Sequence, residues 1–304
     1  MKIKVLDITH TFQSNIVEKF DAISNVKFNI NENEYIGIIG PTGSGKTTLI
    51  EHLNGLLIPT KGSVEFDYSI TKYNKKTKSE KVINKTKVIK KSWKKIKNIN
   101  EIRRLVGIVF QFSEYQLFEE TVEKDIIFGP INMGISKEEA LKIAKESIVK
   151  VGLDVSFLNK NPFELSGGQK RRVAIAGILS MKPKILIFDE PTAGLDPEGS
   201  YEILKLFDQL SQEGTTIIIV THDLDHVLEH TKRTIFIRKG KIIKDGPTLD
   251  ILSDEKLLIE NKMSIPKIIN LTNRINRKYQ MNIPYCTNVD QFTKIINKIR
   301  KEKK

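Results

Sequence analysis

Apolar and polar positions alternate over residues 2–9, KIKVLDIT, and again over 23–30, ISNVKFNI. A period of two predicts two strands, each with one buried face. YIGIIG at 35–40 is an unrelieved apolar run, the pattern of a strand buried on both sides. KTTLIEHLNGLL then has helical spacing and stops before Pro59. GSVEF and LVGIVF predict two further short strands. Helical spacing dominates from about 121 to 180, with breaks at GPINMG and NKNPFELSGG. KILIFDE is a second fully apolar strand; a helix over 197–212, the strand TTIIIV and a helix from Asp223 follow. RTIFIRKGKIIKDG predicts a hairpin that turns at Lys239-Gly240. Strands alternating with helices argue an α/β fold with a mainly parallel sheet. After Gly246 the strand pattern ends. Residues 247–304 read as polar helices broken at Pro266 and Pro284, a small appended unit.

Composition narrows the setting. The 304 residues, 39% hydrophobic, suffice for one large domain and a smaller piece. Cys286 is the sole cysteine, which excludes an internal disulfide framework and a thiolate zinc cluster and suits a reducing compartment. The first residues lack the apolar run of a secretory signal. No apolar stretch approaches the roughly 20 residues that cross a bilayer, so a soluble or peripheral protein is expected.

The net charge of +13 is local: residues 69–104 carry 14 Lys and Arg against 2 Asp and Glu. Such a segment suits a phosphate backbone or an anionic membrane surface. It equally suits a solvated loop in a chain that uses lysine and asparagine freely.

GPTGSGKTT, residues 40–48, matches G-x-x-x-x-G-K-[ST] between a strand and a helix, the context the motif requires. Its glycines let backbone N–H groups wrap a β-phosphate. This assigns Gly40, Pro41, Thr42, Gly43, Ser44, Gly45, Lys46, Thr47 and Thr48 to nucleotide binding. Lys46 bridges the β- and γ-phosphates, and the Thr47 hydroxyl is offered to Mg²⁺. Alone, the loop says only nucleoside triphosphate.

Asp189 and Glu190 end the strand ILIFDE, and in open α/β sheets ligands sit beyond the carboxyl ends of strands. Asp189 is then a candidate for Mg²⁺, through water, and Glu190 for the base that orients and deprotonates attacking water. The plainer reading is a pair of carboxylates capping the next helix. His222 ends the strand TTIIIVTHD and is placed to hold the γ-phosphate and the water; the alternative is a structural hydrogen bond. Gln111, after LVGIVF, either joins the Mg²⁺ shell or the water, or simply starts a loop.

One more stretch suits an anion, though it has no lysine loop of its own. In ELSGGQKRRVAIAGILS, Ser166 and Gln169 have the spacing of a capping box, and Gly167 and Gly168 leave bare N–H groups at a helix start.

Taken together these motifs resemble the ATP-binding cassette ATPases. The P-loop, Gln111, LSGGQ at 165–169, ILIFDE, AGLD at 193–196 and His222 follow the family order over about residues 1–245. The resemblance implies a cassette domain over 1–246. It would have a parallel core, an antiparallel β subdomain, the insertion at 69–104 and a helical subdomain over about 112–180, with a helical extension over 247–304. It implies two cassettes joined head to tail around two ATP molecules. Ser166, Gly167, Gly168 and Gln169 would then meet the partner's ATP, and Asp196 would lie along the shared interface. It also implies an aromatic stacked on adenine, for which Phe12 is the candidate.

VGIVFQFSEYQLFEETVEKDIIFGP further resembles the second of two paralogous ATPases in energy-coupling factor transporters, which import vitamins and metal ions. That resemblance implies a paralogous ATPase, a membrane-embedded coupling subunit and a substrate-binding membrane subunit, at the cytoplasmic face of the membrane. Glu119, Glu120, Glu123 and Asp125 would meet arginines of the coupling subunit, or merely form a solvated acidic helix start. The lysines of 69–104 would touch anionic lipid.

The ATPase of another importer type shares every catalytic motif. A nucleic-acid-linked cassette is disfavoured: there is one P-loop, one signature, no long arm and no cysteine cluster. A purely regulatory cassette is disfavoured because Glu190, His222 and LSGGQ are all intact.

Overall fold

The computed structural model describes residues 1–13, 19–74, 79–92, 96 and 98–302. The chain opens with strands β1 (Lys2–Phe12), β2 (Phe20–Ile30) and β3 (Tyr35–Ile39), then helix α1 (Lys46–Leu53). A long hairpin of β4 (Lys61–Asn74) and β5 (Ser79–Lys90) leads to α2 (Ile99–Leu105) and β6 (Val106–Val109). Helices α3 (Val122–Asn132), α4 (Lys137–Lys150) and α5 (Gly167–Leu179) precede β7 (Ile185–Asp189). Next come α6 (Pro197–Gln212), β8 (Thr216–Val220), α7 (Leu224–His230), β9 (Arg233–Arg238) and β10 (Lys241–Pro247). Helices α8 (Thr248–Leu252), α9 (Glu255–Glu260), α10 (Lys267–Tyr279) and α11 (Val289–Glu302) close it.

Two sheets result. One is antiparallel, in the order β2-β1-β4-β5. The other runs β10-β9-β3-β8-β7-β6, parallel except for β10 at its edge. The ends of β3, β6, β7 and β8 therefore lie on one side of the sheet, where Asp189 ends β7 and Gly40, Gln111 and His222 emerge close after the other three. The β9–β10 turn has Lys239 at φ 47° and Gly240 at φ 73°, the doubly left-handed turn that suits a two-residue hairpin.

Apolar side chains fill both faces of the parallel sheet. Ile36, Ile38, Ile187 and Ile218 pack toward Ile3, Val5, Phe28 and Phe66 of the antiparallel sheet. Leu186, Phe188, Ile217 and Ile219 pack with Ile126, Ala144, Val173 and Phe207 of the helices. A third cluster joins Ile251, Leu258 and Ile269 of the terminal helices, and Cys286 of the link between α10 and α11, to Val227 and Phe236.

The solvated-loop reading of the lysine-rich segment gives way here. β4 and β5 pair in register from Ser63–Lys90 out to Asn74–Ser79. The inward face carries Val64, Phe66, Tyr68 and Ile70 on β4, opposite Ile89, Lys87, Lys85 and Ile83. Two lysines at inward positions hid the alternation. Lys85 is accommodated by Glu101 at 2.9 Å, with its ammonium 5.9 Å from the Tyr68 ring centre. Residues 75–78, 93–95 and 97 of the segment lie outside the described residues.

Candidate active site

The P-loop needs its glycines for two separate reasons. Gly40 has φ 154°, and a Cβ there would sit 2.1 Å from the Ile237 carbonyl oxygen. Gly45 has φ 100°, and its Cβ would sit 2.5 Å from the Ala22 oxygen. The loop is anchored from outside as well. Gly240 N–H donates to the Ser44 carbonyl at 2.9 Å, and Ser24 N–H donates to the Gly240 carbonyl at 2.8 Å. The β9–β10 turn thus ties the P-loop to β2. The Lys46 ammonium donates to the carbonyls of Gly40 at 2.8 Å and Pro41 at 3.1 Å.

A cavity of about 670 Å³ lies over this loop. It is lined by Thr42–Thr48, Gln111, Asp189, Glu190, His222, Phe12, Phe20, Asp21, Ala22, Lys239 and Gly240. It therefore gathers residues from Phe12 to Gly240, far apart in the sequence. Ser166–Gln169 and Asp196 line none of it.

Thr47 donates its hydroxyl to Asp189 Oδ2 at 3.1 Å. Burial pushes the Asp189 carboxyl above its ordinary pKa, against that hydrogen bond, and the neighbouring Glu190 charge pushes it further. Burial also pulls the Lys46 ammonium down, against the attraction of Glu190 and Asp189. Glu190 sits at φ 48°, a left-handed backbone that turns its side chain off the strand end. Its Oε2 accepts from the Thr221 hydroxyl at 3.0 Å. Its Oε1 accepts from His222 N–H at 3.1 Å and lies 2.8 Å from His222 Nδ1. The His222 ring is otherwise 80% exposed, free to meet a ligand in the cavity.

Phe12 lines the cavity and its ring lies 5.7 Å from that of Phe20, its register partner on β2. Behind Phe12 stand two buried histidines. His52 Nδ1 lies 2.6 Å from the Thr48 carbonyl, which only accepts, so this nitrogen donates. Its Nε2 is then the acceptor for His10 Nδ1 at 3.0 Å. Burial holds the His52 ring neutral, with its pKa lowered to about 4. The His10 ring meets Phe12 edge-on at 4.5 Å. The Phe12 side of the cavity and the P-loop helix are thereby in contact.

The signature segment folds as its spacing predicts. Ser166 Oγ accepts from Gln169 N–H at 3.3 Å and Gln169 Oε1 accepts from Ser166 N–H at 3.1 Å. A Cβ on Gly167 or Gly168 would meet nothing within 4 Å, so the fold of this chain does not demand glycine at either place. Asp196 caps α6, accepting from Gly199 N–H at 2.7 Å.

Of the four acidic residues after the glutamine loop, two are already engaged. Glu120 pairs with Lys124. Asp125 turns inward to accept from the N–H groups of Phe118 and Glu119, and burial raises its pKa. Beside them opens an apolar groove of about 350 Å³ that includes Leu117, Phe118, Phe128, Met133 and Val173.

Sequence reasoning missed Phe20, Asp21 and Lys239 in the cavity, and the histidine pair. Phe20 carried a usable signal, an aromatic opening the strand that pairs with Phe12. The histidines carried none, because only the fold brings positions 10 and 52 together.

A family model described as ABC transporter matches residues 23–193. Two solved structures are similar over most of the chain. One is cbiO1 from Clostridium perfringens, described as part of the ABC transporter complex cbiONQ. It is 33% identical, with a TM-score of 0.66 over 89% of this chain and 98% of that one. The other is the cassette MJ0796, a dimer in a post-hydrolysis state bound to ADP and Pi. It is 30% identical, with a TM-score of 0.65 over 81% of this chain and 98% of that one. Fold and site define an ATP-binding cassette ATPase of the ABC transporter class.

The similarity runs closer along another line. Energy-coupling factor transporter ATP-binding protein EcfA2 of Mycoplasma mobile is 52% identical over 297 residues, covering 98% of this chain and 96% of that protein. The proteins of the same description from Mesomycoplasma hyopneumoniae (strain 7448) and Streptococcus pneumoniae serotype 2 are 52% and 44% identical. They cover 98% and 90% of this chain, and 96% and 92% of their own. The chain belongs to this family of ATP-hydrolysing energy-coupling factor subunits. Among the described residues no helix is long and apolar enough to cross a membrane.

Proposed function

We propose that the chain is one half of a pair of cassettes at the cytoplasmic face of the membrane, whose closure around ATP drives import of a vitamin or metal ion. The observation that carries this reading is the open glycine surface of the signature. A side chain on Gly167 or Gly168 would meet nothing in their own chain, yet glycine stands at both places, in the first turn of a helix whose Ser166 cap accepts from Gln169 N–H. An anion held by a second polypeptide accounts for both facts. The paralogous ATPase is that second chain. Ser166, Gly167, Gly168 and Gln169 close over its nucleotide, and Asp196 runs along the contact.

Within this chain Phe12 stacks on the adenine and residues 40–48 hold the phosphates. Glu190 takes the proton of the attacking water, while His222 and Gln111 position water and γ-phosphate. The donors fit Mg²⁺: the Thr47 hydroxyl, the Asp189 carboxylate and the Gln111 amide oxygen are hard ligands around one cavity. Among the described residues no group of three or more His, Cys, Asp or Glu is placed to hold a metal ion by itself. Bound there, Mg²⁺ would offset charge on the phosphate oxygens.

The apolar groove beside Phe118 and Phe128 suits a helix of the membrane-embedded coupling subunit, with Glu119 and Glu123 left to meet its arginines. The third partner, a substrate-binding membrane subunit, chooses the cargo. The hairpin lysines lie against anionic lipid; nucleic acid is not a partner. Purification of the chain from its native membranes should recover a paralogous ATPase and two integral membrane proteins. Phe118→Asp with Phe128→Asp should release the membrane proteins while ATP binding persists. Recovery of the chain alone, under mild detergent and with ATP present, would refute the reading.

A further inference from the structure

Arg171, one turn into α5, is 4% exposed and is absent from every role described above. Its guanidinium holds three segments at once. Nε and Nη2 donate to the Glu114 carboxylate at 3.1 and 2.8 Å, a two-pronged pair. Nη1 donates to the carbonyls of Pro191 at 3.1 Å and Ala193 at 2.8 Å. Glu114 stands in the 3-10 turn Ser113–Gln116, three residues after Gln111. Pro191 and Ala193 belong to the loop that follows Glu190 and runs to Asp196.

The placement has a physical consequence. Backbone carbonyls in an irregular loop need donors when buried, and here one side chain supplies two of them. The same loop starts at the left-handed Glu190 and closes on it, with Ala193 N–H donating to the Glu190 carbonyl at 3.2 Å. A shift of the carbonyls at 191 and 193 therefore reaches the Glu190 backbone within one turn. On its other side Arg171 is joined to a segment whose Ser113, Gln116 and Leu117 line the apolar groove. A rigid, planar fork passes displacement between such segments better than a lysine on a flexible stem.

We propose that Arg171 is a positioning residue for hydrolysis: paired with Glu114, it sets the 191–193 loop and hence the Glu190 carboxylate, and it carries movement of the groove-lining turn to that loop. The second half rests on the coupling reading given under Proposed function; the first half does not.

The test compares Arg171→Lys, Arg171→Met and the double variant Arg171→Met with Glu114→Leu in the full chain, assembled with its partners. Removing both charges avoids stranding a buried carboxylate, so the double variant should melt above Arg171→Met alone and below wild type only by the loss of the donors to the carbonyls of Pro191 and Ala193. It should bind ATP within about twofold of wild type, because the P-loop is untouched, and hydrolyse it about 10- to 100-fold more slowly. Arg171→Lys should fall between. Amide hydrogen exchange at 190–196 should accelerate in the double variant with α5 itself unchanged. This exchange reading needs no partner and no turnover, so it judges the positioning even if the transport reading fails. Exchange at 190–196 equal to wild type, or accelerated exchange with wild-type kcat, would overturn the proposal. So would losses of ATP affinity and melting temperature in proportion to the loss of rate, which is the mark of a purely structural residue.

Discussion

Glu190 and His222 share one carboxylate oxygen: Oε1 accepts the His222 backbone N–H at 3.1 Å and lies 2.8 Å from the ring Nδ1. Thr221 holds the other oxygen at 3.0 Å. The carboxylate is thus fixed at both ends by residues that close one strand, while the histidine ring stays largely exposed. Glu190→Gln keeps the shape but removes the base. It should bind ATP normally, lose about 100-fold or more in kcat, and accumulate ATP-bound dimers on size exclusion. Near-normal turnover in this variant would remove Glu190 from its role.

His222→Ala leaves Glu190 its bonds to Thr221 and to a backbone N–H. Its melting temperature should therefore match wild type while hydrolysis drops. A large loss of stability instead would recast the ring as a structural group.

The glycines of the P-loop and of the LSGGQ segment should respond oppositely to alanine. Gly45→Ala meets a backbone oxygen and a left-handed φ, and should destabilise the fold by about 1–3 kcal/mol. Gly168→Ala lies in open space within a helix and should stabilise the monomer by about 0.5–1 kcal/mol. It should nonetheless weaken ATP-dependent association. Thermal melts beside analytical ultracentrifugation with ATP check both; unimpaired association would free the signature from its assigned contact.

Acid should weaken the fold through His52. The neutral ring is the folded form, with its pKa lowered to about 4 from 6.5. Below pH 6.5 the unfolded chain takes a proton that the folded chain refuses until about pH 4. The contribution is complete above 6.5 and is lost as pH falls toward 4, about 3 kcal/mol in all. Urea titrations at several pH values should show this slope, and His52→Gln should flatten it.

Much of the parallel sheet was legible because its strands are buried on both faces and read as short apolar runs between turn residues. The nucleotide loop was legible because its glycines answer to backbone geometry, which sequence spacing exposes. The β4–β5 hairpin was not, since Lys85 and Lys87 occupy inward positions and their charge outweighs the aliphatic stems in any reading of pattern. Nor was Arg171, which reads as one more cation on a basic helix. Only the approach of Glu114, Pro191 and Ala193 gives it a task. The histidine pair was invisible for the same reason.

The bonds that run from Ser24 through Gly240 to Ser44 brace the cradle for the phosphates with contacts of the chain's own backbone, which owe nothing to a nucleotide. Little ordering entropy then remains to be lost on capture, and ADP can depart without the cradle having to melt. On the proposed pairing of two cassettes, the slow event of a catalytic cycle would accordingly fall outside it, in the parting of the subunits.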